Sequence, residues 1–291
     1  ALRRGFATKK EAQDELDRLR ESTRRGTFVS PSKLTAREYI EKTWLPSMAG
    51  QVRPTTLDSY TRIAKNHIIG KLGGSALQAI DEAAVAAFLG QLLTDGLKPK
   101  TVRNVAGVLS KLMRDAVHLK VLARNPAAEA RLPQVARQAP RAWSIEGLTK
   151  FLRHVDDDRQ AALWRFLALT GCRRGEALGL RWADVDVTAG VATITNQRTI
   201  AGGKIVEGAP KTSAGARTIS LDDGTVEALK RWRKQQNEDR LLMGAGWPAT
   251  DLVFTHADGT GLWPQTVTRQ FHDIAELLGL QQIGVHGLRH T

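Results

Sequence analysis

Apolar residues recur at helical spacing along most of this 291-residue chain, and the polar residues between them mark where each helix starts and stops. The opening GFATKKEAQDELDRLRESTRRGTF reads as one helix, with Thr8 as N-cap and Glu11 three residues on completing a capping box. It is too short to fold alone. From Leu34 to about Leu132 the pattern is helical throughout. Thr35 caps a helix carrying Tyr39, Ile40 and Trp44, which Pro46 should end. Pro54 opens a second, with Leu57, Tyr60, Ile63, Ala64, His67 and Ile68 in phase, and Gly70 to Gly74 should break it. Asp81 starts a third through Val85, Phe88, Leu89, Leu92 and Leu93, closing at Gly96. Pro99 and Lys100 precede a long fourth through Val102, Val105, Val108, Leu109, Leu112, Met113 and Val117. Asn125-Pro126 should stop one last short helix, and the whole makes a small bundle.

The pattern changes after LPQVARQAP, Leu132 to Pro140, which has proline at both sides and no period. Ser144 caps a helix through Leu148, Phe151 and Leu152; Asp158 caps another through Leu163, Phe166, Leu167 and Leu169 that ends at Gly171. A short helix spans about Arg174 to Leu180. β-Branched stretches at Val191 to Thr195, Ile205 to Val206 and Thr218 to Leu221 predict three short strands, with AGGK at Ala201 to Lys204 as a hairpin turn. Helices return at about Thr225 to Leu242, Gln265 to Leu278 and from Val285 onward. The expected fold is mostly α with a small antiparallel β-sheet. Its parts are a helix at 1–28, a linker at 29–33, a helical domain at 34–132, a connection at 133–140 and a mixed α/β domain at 141–291.

Charge adds a partner to this picture. The formal net charge is +13, and the excess falls as +3 over residues 1–30, +8 over 31–140 and +2 over 141–291. The helical domain therefore carries the electrostatic attraction for a polyanion. Arg62, Lys65, Lys98, Lys100, Arg103, Lys111 and Arg114 lie off its apolar stripes, as candidate contacts to a polyanion (DNA, RNA or an anionic membrane) or as solvated helix faces. No apolar run is long enough to cross a bilayer, and the basic start has no apolar signal segment. The single Cys172 excludes an internal disulfide framework and fits a reducing cytoplasm.

Candidate chemistry gathers in three boxes: TGCRRGEALGLRW (Thr170 to Trp182), PKTSAGARTISL (Pro210 to Leu221) and VHGLRHT (Val285 to Thr291). Displacement at a phosphodiester builds negative charge on the non-bridging oxygens, which fixed cations stabilise. Arg173 opens a helix after Gly171, and His286 and Arg289 lie three apart on one helical face. Lys211 could protonate a leaving hydroxyl if its surroundings lower its pKa. His154 with Asp156, Asp157 and Asp158 reads as an interhelix loop with a cap rather than a metal site. His286 and His290 lack the intervening Glu of a zincin.

Together the three boxes resemble those of the tyrosine recombinase (phage integrase) family: its first arginine box, its lysine hairpin and its H-x-x-R box. NHIIGKLGGSALQAI (Asn66 to Ile80) resembles the family's helical, SAM-like core-binding domain, and the opening helix resembles the end of an arm-type DNA-binding module. The resemblance implies site-specific DNA recombination for a phage or mobile element, with strand exchange through a 3′-phosphotyrosyl intermediate. It implies Arg173 and Arg289 as phosphate clamps, Lys211 as general acid, His286 as a phosphate-positioning proton shuttle and Glu176 as structural support. Arg174, at a variable position, is expected to make a surface or backbone contact. No cofactor or metal is implied. The implied partners are double-stranded DNA at attachment sites, a tetramer of the protein on two duplexes, an excisionase and a host DNA-bending protein, in a bacterial cytoplasm. The only tyrosines are Tyr39 and Tyr60, both in the helical domain, so this chain is expected to bind DNA without cutting it. A type IB topoisomerase and a non-catalytic DNA-binding regulator are the alternatives.

Overall fold

The computed structural model describes residues 7–24, 28–136, 139, 141–210 and 216–291. The chain divides into two units, Ala1–Arg137 and Gln138–Thr291. Of the expected connection at 133–140, residues 137, 138 and 140 lie outside the described residues.

In the first unit, α1 (Lys9–Arg24) starts where the sequence places it: the Glu11 N–H donates to Thr8 Oγ1 at 3.2 Å, and Glu11 Oε2 accepts from the Ala7 N–H at 3.0 Å. A second capping box, Thr35 with Glu38, opens α2 (Ala36–Glu38). The helix then widens into a π turn over Tyr39–Trp44 and continues as α3 (Leu45–Met48). Pro46 therefore does not end it. The wide turn carries its bond from the Leu45 N–H to the Ile40 carbonyl and makes room for a ring that has no donor of its own. The next helix does the same: α4 (Pro54–Ile63) passes through a π turn at Ala64–Ile68 into α5 (Ile69–Leu72). The helix ends inside the expected Gly70 to Gly74 stretch, at Leu72 with Gly73 as C-cap; burial of Ile68, Ile69 and Leu72 carries it past Gly70 against the roughly 1 kcal/mol a helical glycine costs.

Asp81 caps α6 (Glu82–Thr94), and α7 (Pro99–His118) supplies the long apolar stripe, from Val102 to Met113, on which the other helices pack. The short helix expected before Asn125-Pro126 is absent. Asn125 instead donates to the Ser110 carbonyl at 3.1 Å and accepts from the Ala127 N–H at 2.9 Å, which holds the chain as a turn.

The second unit opens with α8 (Ile145–His154), capped by Ser144, and α9 (Ala161–Thr170). Asp158 does not cap α9; it accepts from the Gln160 N–H at 2.6 Å in a turn just before the helix, whose N-cap is Gln160. After α10 (Arg174–Leu178) come, among the described residues, five strands where three were expected. β1 (Val185–Asp186), β2 (Val191–Ile194) and β5 (Arg217–Ser220) form an antiparallel sheet in the order β1-β2-β5. β3 (Gln197–Ala201) and β4 (Lys204–Gly208) form a separate hairpin. Its two-residue turn takes φ of 56° at Gly202 and 73° at Gly203, which side chains disfavour. Two residues are too few to display an alternation, which hid β1; polar Gln197 and Arg198 hid β3.

α11 (Asp223–Met243) and α12 (Pro264–Leu277) follow, and a 3₁₀ turn, Val285–His290, stands where a helix was expected. Phe271 of α12 centres the core, with ring centroids 5.2 Å from Trp143, 5.5 Å from Phe151 and 6.2 Å from Trp164. The fold is mostly helical with small antiparallel sheets, as the sequence suggested. Among the described residues no helix is long and apolar enough to cross a membrane.

Candidate active site

The site is assembled at the C-terminal end of α9. That helix stops because Gly171 adopts φ 61°, and Cys172 then turns inward. The Cys172 thiol is buried, and burial pushes its pKa up. Arg173 follows at the N-cap of α10, a position that ordinarily calls for a side-chain acceptor. Arginine has none. Glu176 instead satisfies Arg173 itself: its Oε2 accepts from the Arg173 N–H at 3.0 Å, and its Oε1 accepts from Arg173 Nη1 at 2.7 Å.

Glu176 itself is 1% exposed. Burial pushes its pKa up, but hydrogen bonds from Arg217 and from Arg173 outweigh that and hold the carboxyl below the usual range. Arg217 Nη2 reaches Glu176 Oε2 at 2.8 Å from the start of β5, and lies 3.7 Å from the Cys172 sulfur. The bond to Glu176 raises the Arg217 pKa further. Two guanidinium groups thus share one carboxylate. The Arg173 side chain remains 56% exposed, so part of its planar donor set faces solvent.

The terminal turn packs against α9 by burying Val285 and Leu288. Its hydrogen bond from the Trp143 N–H to Thr291 Oγ1, 3.2 Å, ties it to the start of the unit. His286 and Arg289 are exposed, and three-residue spacing in a 3₁₀ turn sets them one above the other. Arg289 runs along the chain beside Gly171: its Cγ lies 3.5 Å from where a Cβ there would sit. Arg173 and the His286–Arg289 turn therefore flank the same α9 terminus. Such an arrangement offers an anion several fixed donors on one exposed edge. Lys211 lies outside the described residues.

Two glycines place α10 against β3. A Cβ at Gly175 would stand 2.8 Å from the Arg198 carbonyl oxygen, and one at Gly179 would stand 2.7 Å from Gln197 Cα. Arg174 reaches toward α12. Its half-buried guanidinium donates to Thr268 Oγ1 of α12, and burial lowers its pKa.

Among the basic residues of the helical unit, Arg62, Lys65, Lys98, Lys100 and Arg103 are exposed, and Arg103 donates to the Pro133 carbonyl at 3.3 Å. Lys111 is committed to Asp115 at 2.5 Å, and Asp115 also accepts from Trp44 Nε1 at 2.8 Å. Tyr39 is fully buried, and its hydroxyl is pushed up to about 12, first by burial and then by Asp115. Tyr60 stacks on Trp44 at 5.4 Å.

Arg217 is the functional candidate that motif reasoning passed over. A signal was present. In RTIS the alternation puts Arg217 on the inward face with Ile219, and a charge there calls for a buried counter-charge.

Residues 142–291 match the model of the phage integrase family, and residues 37–93 match the phage integrase N-terminal SAM-like domain. The chain is 26% identical over 250 residues to the ICEBs1 integrase of Bacillus subtilis, covering 85% of this chain and 68% of that protein. It is 25% identical to a tyrosine recombinase XerC-like protein of Caldanaerobacter subterraneus subsp. tengcongensis, covering 98% of this chain and 78% of that one. In fold it is similar to the Tn1549 transposon integrase solved in complex with transposon right end DNA. The TM-score is 0.74 at 18% identity, over 89% of this chain and 85% of that one.

Proposed function

The chain belongs to the phage integrase family, and from that premise we propose that it is a site-specific DNA recombinase of a phage or mobile element. One observation carries the reading: Arg173, braced by the buried Glu176, stands beside the turn bearing His286 and Arg289. In this reading Arg173 and Arg289 clamp the non-bridging oxygens of the scissile phosphate, where their planar donor forks meet charge that grows as the transition state forms. His286, stacked beside Arg289, orients the same phosphate and moves a proton. Lys211 protonates the departing 5′-hydroxyl, a role that rests on its motif. A tyrosine attacks to give a 3′-phosphotyrosyl link, and the freed hydroxyl of a second duplex reverses the step. One phosphodiester replaces another of similar energy, so the exchange runs without ATP.

Neither Tyr39 nor Tyr60 fits the attacking role: both belong to the helical unit, and Tyr39 is sealed in its core. Double-stranded DNA is the partner. The exposed Arg62, Lys65, Lys98, Lys100 and Arg103 supply phosphate contacts, while Lys111 serves the bundle. A tetramer on two duplexes, an excisionase and a host DNA-bending protein complete the assembly.

The test uses the protein in a form that carries an attacking tyrosine, and a duplex carrying its own attachment site, nicked so that cleavage traps the covalent adduct. Arg173→Ala and Arg289→Ala should each lower adduct formation by roughly 10²–10³ while DNA affinity changes a few-fold. Adduct formation at the wild-type rate in either variant would overturn the reading. No adduct from the tyrosine-bearing wild type would favour a DNA-binding regulator.

A further inference from the structure

We propose that Arg217 is a positioning residue for strand transfer: it fixes the buried Glu176 carboxylate and through it aims Arg173 at the scissile phosphate. The proposal rests on the recombinase reading above. Arg217 would act on the reacting phosphate through Glu176 and Arg173.

Geometry is the first support. Arg173 takes both Glu176 oxygens, by its side chain at 2.7 Å and its own N–H at 3.0 Å. Those bonds come from one residue on a five-residue helix, too short to hold an arginine in one orientation by itself. The bond from Arg217 to Oε2, at 2.8 Å, comes from a different element. It gives the carboxylate a second anchor outside that helix, so the group that receives Arg173 is held from two elements.

Burial is the second. Side-chain exposure rises from 1% at Glu176 through 27% at Arg217 to 56% at Arg173. The order runs from support to working end. Only Arg173 of the two arginines presents most of its surface to solvent, which separates a brace from a clamp.

Connectivity is the third. Arg217 pairs with Ile194 across β2 and β5, so it stands on a sheet rather than a loop. It also follows Lys211 by six residues in sequence. Two boxes far apart in sequence are brought into register by one carboxylate.

The groups facing Glu176 define what a titration would read. They are Arg173 from its own helix, Arg217 from β5 and the Cys172 thiol from the preceding loop; Arg289 acts on that thiol from the terminal turn. β3 presents backbone to this helix at Arg198, and Arg174 is turned away toward Thr268 on α12.

The experiment pairs a spectroscopic readout with a kinetic one. The Glu176 carboxyl is titrated by ¹³C NMR in wild type, Arg217→Lys and Arg217→Gln, and adduct formation by the intact protein is timed across pH. In Arg217→Gln the Glu176 midpoint should move up and cleavage should fall roughly 10- to 100-fold, most at low pH, with DNA affinity unchanged. Arg217→Lys should recover part of both, because it keeps the charge and loses the planar fork. In a Glu176→Gln background, Arg217→Gln should cause little further loss. An unmoved Glu176 midpoint, or a cleavage loss that persists in full without the carboxylate, overturns the proposal. If Arg217→Gln does not fold, Arg217→Lys must still cleave several-fold more slowly with its circular dichroism intact, and a wild-type rate there is equally fatal. Arg173→Ala separates the two readings: full cleavage in it sinks the recombinase function, whereas its loss beside a fully active Arg217→Gln sinks only the brace.

Discussion

Replacing Gly179 by alanine tests the close packing that sets α10 against β3. The added Cβ would lie 2.7 Å from Gln197 Cα and 2.9 Å from both its carbonyl carbon and its nitrogen. All three are backbone atoms of a paired strand, so no rotamer change can relieve the contact. The hairpin or the helix must move, and overpacking of this kind costs typically 1–3 kcal/mol. With backbone as the obstacle, the upper part of that range is expected, about 2–3 kcal/mol. For a domain of roughly 150 residues or more that corresponds to a fall in Tm of about 5–10 °C. The molecule carries its own reporter, since six of its seven tryptophans lie in the unit that contains Gly179. Urea unfolding followed by tryptophan fluorescence should show an earlier midpoint at unchanged slope. Gly107→Ala is the matched control. That glycine lies on the exposed face of α7 with nothing within 4 Å of its would-be Cβ. The same methyl group there should stabilise the helical unit by about 0.5–1 kcal/mol. A Gly179→Ala protein whose fluorescence transition stays put, or moves later, would refute the steric argument.

Three further outcomes are expected. Because the folded-state pKa of Glu176 lies below its reference of 4.5, its stabilisation is present above that pH and fades as pH falls through the folded value. Glu176→Gln should thus lose about 1–3 kcal/mol near neutrality, a figure discounted for the exposure of Arg173, and unfold less steeply on acidification. Tyr39→Phe removes a buried hydroxyl that has no hydrogen-bond partner among the described residues, so stability to heat should be unchanged or higher by up to about 1 kcal/mol, and cleavage should be unaffected. Asp115→Ala strips the partner from Trp44 Nε1 and from Lys111, and should cost the helical unit roughly 1–3 kcal/mol, read by circular dichroism in urea.

Helices with a cap and a clean stripe were legible from sequence: Asp81 and Ser144 start α6 and α8 as their side chains dictate, and the α7 stripe is the core of its bundle. What escaped depended on neighbours distant in sequence. Pro46 read as a breaker because propensity counts local cost, while burial around Trp44 comes from other helices. β3 escaped because its inward Arg198 looks polar, although it is 7% exposed beside Glu207. Arg173, His286 and Arg289 were legible through spacing within their boxes. The brace between Glu176 and Arg217 spans 41 residues, and no single box contains it.

The two π turns, at Tyr39–Trp44 and Ala64–Ile68, are what one surplus residue leaves in an otherwise regular helix. Each winds the rod locally by an extra residue before the next side chain faces inward again. These are the seams at which the first unit can lose a residue and close into ordinary α geometry, with only the segment on one side having to rotate. Length differences between homologues in this unit should therefore collect at those seams and spare the uninterrupted rods α6 and α7.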